Sequence, residues 1–296
     1  VFNVRTGGDF IEPFGNYVDV SNREATDAFI RFTHEEYRKR FGRLFGNVIP
    51  GFFTDEPKYR NYLPWSGEIE KNWKDYQKNP ASLLALIGNE SSGGLIRQNY
   101  RATTYRLFRD NWARPISKWC EKRGLKFTGH ISPEEDWMVE ARIAGSIMQL
   151  LKEFHVPGCD LIIPAVGDRN HPILNLIPSL AVSVSAQQGR SHTLVELFGA
   201  SNYPINMQEV KRIGDWLSLF GINLFTVHYL LYSNDGFRKW DAPPTFYRPS
   251  PLWPHFKNWK THLDKTAGQI GPRNVRSRFV MVRPMRSFWR TIADDE

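Results

Sequence analysis

Short apolar runs alternate with longer stretches of helical periodicity along this chain, and most of the apolar runs end in a polar tip. Over 22–42, Phe29, Phe32, Tyr37 and Phe41 recur near helical spacing, and Ser21 with Glu24 has the spacing of a capping box. A short buried strand is predicted at 48–53. It ends in Thr54-Asp55-Glu56-Pro57, where Pro57 has no backbone donor to continue a ladder. Residues 58–100 read as an irregular insertion, long enough to suggest a functional loop. A helix at 101–123, broken near Pro115, leads to a strand and tip at 126–130. Helical periodicity near 138–153 is followed by a strand at 159–164. A further helix (173–188) precedes a strand (193–199) that carries Glu196. Asn206 and Glu209 cap the next helix, which runs to about Phe220. A strand at 223–229, a polar loop at 230–250, a helix at 252–270 and a strand at 278–284 complete the pattern.

Apolar strands alternating with amphipathic helices predict an α/β fold with a parallel sheet covered by helices. A doubly wound sheet would carry a glycine-rich phosphate turn, and no strand end shows one. Four strand ends instead carry a residue fit for catalysis: Glu56, His130, Glu196 and His228. In a (β/α)8 TIM-type barrel the carboxyl ends of the strands ring one mouth and gather residues distant in sequence. The barrel is therefore the expected fold.

Composition narrows the function classes. The 296 residues carry a net charge of +8, but Lys and Arg are scattered, which argues for a basic surface rather than a nucleic-acid interface. No apolar run approaches the ~20 residues of a membrane span. Two distant cysteines, Cys120 and Cys159, offer neither a disulfide scaffold nor a zinc pattern and read as small buried apolar residues. The start, VFNVRTGGDF, lacks a signal-peptide pattern and an initiator Met, and is expected to begin a piece of a longer chain. Aromatics are 14% of the chain, and many stand among polar residues, an arrangement suited to the flat apolar face of a sugar ring.

Cleavage of a glycosidic bond needs two carboxyl groups, one protonated to assist the leaving oxygen and one ionised to attack or to activate water. Glu56 and Glu196 are the candidates, each at the tip of an apolar strand. Asp55 competes with Glu56, since neighbours in a strand point to opposite faces. His130 suits a sugar hydroxyl or the positioning of a carboxylate, and Glu134 or Glu135 reaches towards the same tip from the following loop. His228 and Tyr229 at one strand end, Asp19 after Tyr17-Val18, and Trp240 in a polar loop are further substrate-binding candidates. No EF-hand or paired-histidine spacing marks a metal site. No cofactor is required by this chemistry, although acidic clusters admit Ca2+.

The segments YVDVSNREATDAFIRFTHEEYRKRFG, VIPGFFTDEP, WCEKRGLKFTGH, VELFGAS, IGDWLSLFGINLFTVHYLLYS and GFRKWDAPP together resemble large bacterial glycoside hydrolases related to family 106, the α-L-rhamnosidase family. They span most of residues 16–260. The resemblance implies a (β/α)8 barrel acting on a plant or microbial polysaccharide or oligosaccharide, with further domains in the same longer chain and a periplasmic or extracellular location. FTDEP is similar to the strand-4 tip of the wider clan that includes β-galactosidases, with Asp55 where that motif has Asn. Counting on, His130 ends strand 5, Pro164 follows strand 6, Glu196 ends strand 7 and His228 ends strand 8. Upstream of Glu56 there is room for about one strand, near 2–4 or 17–20, where three are required. The barrel is therefore expected to be incomplete within 1–272, its first one or two strand–helix units missing, with 273–296 beginning a following domain or linker. The implied roles are Glu56 as acid and Glu196 as nucleophile or base. The alternative is a non-catalytic carbohydrate-binding barrel or a scaffold fragment of a larger enzyme.

Overall fold

Asn22, one residue past the expected cap, opens the first helix. Its Oδ1 accepts from the backbone N–H groups of Glu24 and Ala25, at 2.8 and 3.2 Å, and so satisfies two donors that a helix start leaves open. Ser21 is turned instead to Asp19 and Ser66. In this computed structural model, residues 17–88, 93–162, 166, 176–240, 242–274 and 279–291 are described. The helix expected over 22–42 is two helices, α1 (Arg23–Phe32) and α2 (His34–Phe41). Between them the Thr33 hydroxyl bonds back to the Phe29 carbonyl at 2.6 Å, competing for the ladder.

The chain divides into two compact units. The first comprises Val1–Phe127, Ile131–Phe154 and Met281–Glu296, and the second Thr128–His130 and His155–Val280. In the first unit β1 (Gly51–Thr54) follows α2. Backbone pairing joins it to the start of β2 (Lys126–Gly129), where the Lys126 N–H donates to the Pro50 carbonyl at 2.9 Å. The approach there is close, since a Cβ on Gly51 would lie 2.2 Å from the Lys126 oxygen. The insertion at 58–100 is more ordered than its composition suggests. It holds α3 (Gly67–Asn72), α4 (Lys74–Lys78) and the start of α5 (Gly94–Phe108), and it buries Ile69, Trp73 and Tyr100 completely. A π-turn at Arg109–Ala113 separates α5 from α6 (Arg114–Glu121). Pro115 lies in the first turn of α6, directly after the π-turn. After α7 (Trp137–Ile143) and α8 (Ile147–Leu150), the second unit begins.

There β3 (Val156–Leu161), β4 (Leu194–Leu197) and β5 (Leu224–Val227) continue from β2. The pairs β2–β3, β3–β4 and β4–β5 are all parallel. Helix α9 (Ile177–Gln187) packs on β3, and α10 (Met207–Phe220) packs on α11 (Phe256–Asn274). Cys159, Leu161, Val195 and Leu197 form one buried apolar face of the strands. Neither cysteine is in a disulfide, and both are buried.

The barrel expectation is corrected here. Among the described residues the sheet has five strands in the order β1-β2-β3-β4-β5, an α/β arrangement with β1 and β5 as its terminal strands, and not a (β/α)8 barrel. Two runs read from sequence as strands form none. Residues 17–20 lead into the turn before α1, and 279–284 are irregular, with Phe279 to Val282 strongly exposed. Apolar and β-branched residues favour a strand only where a neighbouring strand pairs with them. The alternative run at 2–4, Pro164 and residue 278 lie outside the described residues. In the first unit α12 (Met285–Phe288) and Trp289 pack on Ala141 of α7, and the Trp289 indole N–H donates to the Gly145 carbonyl at 2.8 Å.

Candidate active site

Parallel register places three polar residues in one row across the second unit. Asp160 on β3 is the partner of Glu196 on β4, and Glu196 is the partner of Thr226 on β5. Side chains alternate along a strand, so this row lies on the face opposite Cys159, Val195 and Val227. Asp160 and Glu196 are buried, at 9% and 8% exposure, while Thr226 is exposed. The row is closed at one end and open at the other.

His130, just past β2, is fully buried, and its Nε2 lies 3.0 Å from Glu196 Oε2. At that distance an imidazole N–H donates to a carboxylate and fixes its orientation. A carboxylate in so dry a place needs such a partner, because desolvating a charge is costly. His228 continues the ladder past β5, its N–H donating to the Leu197 carbonyl at 2.9 Å. Its ring lies 4.3 Å from that of Tyr229, whose own carbonyl accepts from the Phe246 N–H at 2.9 Å. Trp240 is mostly exposed on the loop after β5, near the Lys239 ammonium.

The exit of β4 carries backbone strain. Phe198, Ala200 and Asn202 all have positive φ, at 73°, 54° and 64°. Left-handed backbone costs a residue with a Cβ roughly 1–2 kcal/mol. It is held here by packing and pairing: Phe198 is fully buried against Phe246 and Trp259, and the Asn202 N–H donates to the Pro243 carbonyl at 2.9 Å. Strain that surrounding structure over-determines clusters at functional sites. Here it falls within six residues of Glu196.

The other sequence candidates belong to the first unit. Glu56 is ion-paired with Lys58 at 2.9 Å, and its carbonyl accepts from the Tyr17 hydroxyl at 3.4 Å. Asp55 is exposed, and its Oδ1 accepts from the Glu56 N–H at 2.9 Å. Asp19 accepts from both the N–H and the hydroxyl of Ser21, at 2.8 and 2.6 Å, which makes it a turn-forming acceptor. It lines a cleft of about 40 Å³ with Lys58, Tyr59 and Trp65, room for water and not for a sugar ring. Glu134 is buried and contributes to the negative field at Arg283, which also pairs with Glu140 at 2.5 Å.

Of the sequence candidates, then, His130, Glu196 and His228 stand on neighbouring strand ends of the second unit. Asp160 joins them although sequence reasoning passed it over. A lone acid within the buried run Val156–Leu161 was the available signal. The His130 imidazole and the Glu196 carboxylate offer two ligand atoms that could help to hold a metal ion. Among the described residues, no helix is long and apolar enough to cross a membrane.

No protein-family model matches the chain, and no curated protein matches it. Among solved structures, the chain is similar to a rhamnosidase from Novosphingobium sp. PP1Y, with a TM-score of 0.58 and 16% sequence identity over 75% of this chain. The chain spans 21% of the length of that rhamnosidase, and the likeness is one of fold.

Proposed function

We propose that this chain forms part of a glycoside hydrolase, with Glu196 acting directly on the glycosidic bond. The observation that carries this reading is the dry, oriented carboxylate: Glu196 is buried beyond ordinary solvation, held by His130, and set in a polar row with an open end. Such a group costs folding free energy, and a reacting centre repays that cost in chemistry. Glu196 serves as nucleophile, or as the base that activates water, with His130 fixing the carboxylate that does so. The fold likeness makes L-rhamnosides of plant or microbial glycans the first substrates to try.

Glu196→Gln keeps the shape and the hydrogen bond and removes the charge. In the full-length protein this substitution is expected to lower kcat by a factor of about a thousand and to leave the affinity for sugar nearly unchanged. Turnover measured on aryl glycosides, beside calorimetric binding, checks it. Unchanged turnover would remove Glu196 from the reacting site, and sugar binding by a wild type that shows no turnover would leave a carbohydrate-binding module.

A further inference from the structure

His228 is half-buried, and its two ring nitrogens differ. Nδ1 is closed off from solvent and, among the described residues, makes no hydrogen bond. A Cβ on Gly199 would lie 3.6 Å from that nitrogen, an ordinary packing distance, so the chain leaving β4 covers this edge of the ring. Gly199 follows Phe198, whose φ of 73° turns the chain at that point. The strained exit of β4 thus seats the imidazole at the tip of β5, and Nε2 is the nitrogen left to solvent. Side chains alternate along a strand, and the His228 N–H keeps the ladder to Leu197. The ring therefore stands on the face of Thr226, which is the face of Glu196. With strands about 4.8 Å apart and a rise of about 3.3 Å per residue, the Cα atoms of His228 and Glu196 are about 8 Å apart. A sugar ring bound at Glu196 lies within reach of the imidazole.

A neutral imidazole carries one proton, on either nitrogen. On Nδ1 it would make a buried N–H without an acceptor, which costs about 1–3 kcal/mol and is rare in native proteins. On Nε2 it meets water or a ligand. The packing therefore sets the proton on Nε2 and makes the tip of β5 a hydrogen-bond donor. Glu196, an acceptor, stands on the same face. A donor and an acceptor so placed suit a polyhydroxylated ring, whose hydroxyls both give and take hydrogen bonds. We infer that His228 is a substrate-contact residue, donating from Nε2 to a hydroxyl oxygen of the sugar whose bond Glu196 attacks. The inference rests on the glycosidase reading for the identity of the ligand, and its test is independent of turnover.

Nitrogen NMR of the histidine-labelled full-length protein at pH 8 reads the tautomer in the wild type, with His228→Gln to assign the signal. The proton is expected on Nε2, and titration with methyl α-L-rhamnoside should shift Nε2 more than Nδ1. A proton on Nδ1, or a ring that does not respond to the sugar, would overturn the inference. Calorimetry with the 2-, 3- and 4-deoxy glycosides gives a second readout. In the wild type, loss of the contacted hydroxyl is expected to weaken binding about tenfold. In His228→Leu the same loss should cost less than about threefold, because the donor is gone. His228→Gln, whose amide keeps an N–H near the position of Nε2, should restore part of the penalty. A purely structural role would weaken every glycoside by one common factor and leave the deoxy penalty intact in both variants, which opposes the inference. If the penalty collapses in His228→Leu while Glu196→Gln leaves turnover intact, the hydrolytic reading fails and the contact stands. If Glu196→Gln abolishes turnover and the penalty persists in His228→Leu, the contact fails and the hydrolytic reading stands.

Discussion

His34 is a histidine among rings. It is 4% exposed, with Phe52, Trp119 and Phe29 at 4.4, 5.2 and 5.4 Å between centroids. Burial pushes its imidazole down to about 4, against an opposing pull from the Glu35 carboxylate. An unfolded histidine titrates near 6.5. Between those values the unfolded chain holds a proton that the native chain lacks, so stability rises with pH. The contribution is complete above about pH 6.5 and is lost as pH falls towards 4, amounting to about 3 kcal/mol. His34→Leu is expected to flatten this acid limb. Urea midpoints at pH 7.0 and 4.5 should differ less in the variant than in the wild type. The same scale explains what sequence reading missed. A histidine within HEEYRKRF looks solvated, and only its neighbours in space make it dry.

Elements here are fixed by their ends. Helix α10 starts at Asn206, whose side chain accepts from the N–H groups of Gln208 and Glu209, and stops at Gly221 with φ 104°. Only glycine adopts that conformation without penalty, so Gly221→Ala is expected to cost about 1 kcal/mol in a thermal melt. The first unit has a costlier fixture in Arg283, which lies 2.5 Å from the fully buried Glu140. Desolvation lifts the Glu140 carboxyl to about 7, against the attraction of Arg283. A carboxyl raised in this way binds a proton in the native state that the unfolded chain has released. Its contribution to stability is therefore present below about pH 4.5 and is lost as pH rises through 7. Arg283→Met removes the partner. The cost is expected to be about 3–5 kcal/mol at pH 8, where the charge stands alone, and to shrink markedly at pH 5, where Glu140 is protonated. Urea unfolding at the two pH values measures the difference. Periodicity located the helix that carries Glu140 only loosely and read 278–284, which carries Arg283, as a strand, because an ion pair between residues 140 and 283 has no local signature.

At the scale of the molecule, the five-stranded order among the described residues leaves β1 and β5 as terminal strands. A terminal strand offers unpaired backbone groups to any other chain. In the first unit the ground at β1 is apolar, with Tyr37 at 50% and Phe53 at 42% exposure along one groove. Patches of this kind drive association. Phe53→Lys is expected to lower self-association, seen as a smaller light-scattering mass at equal concentration. Unfolding free energy should change by less than about 0.5 kcal/mol per substitution, as for other surface positions. The net charge of +8 opposes such association, so added salt should promote it in the wild type and less so in the variant.

Periodicity by itself determined the alternation of strand and helix, and it placed β2, β4 and β5 together with the acid or histidine at or just past their ends. These are local properties, since a buried strand must be apolar and a charge within it is conspicuous. The number of strands in the sheet, the register that sets Asp160 beside Glu196, and the contact from His130 were decided only by tertiary structure. Each depends on how far one strand slides along its neighbour, and a slide of one residue exchanges the faces of a strand without changing its sequence.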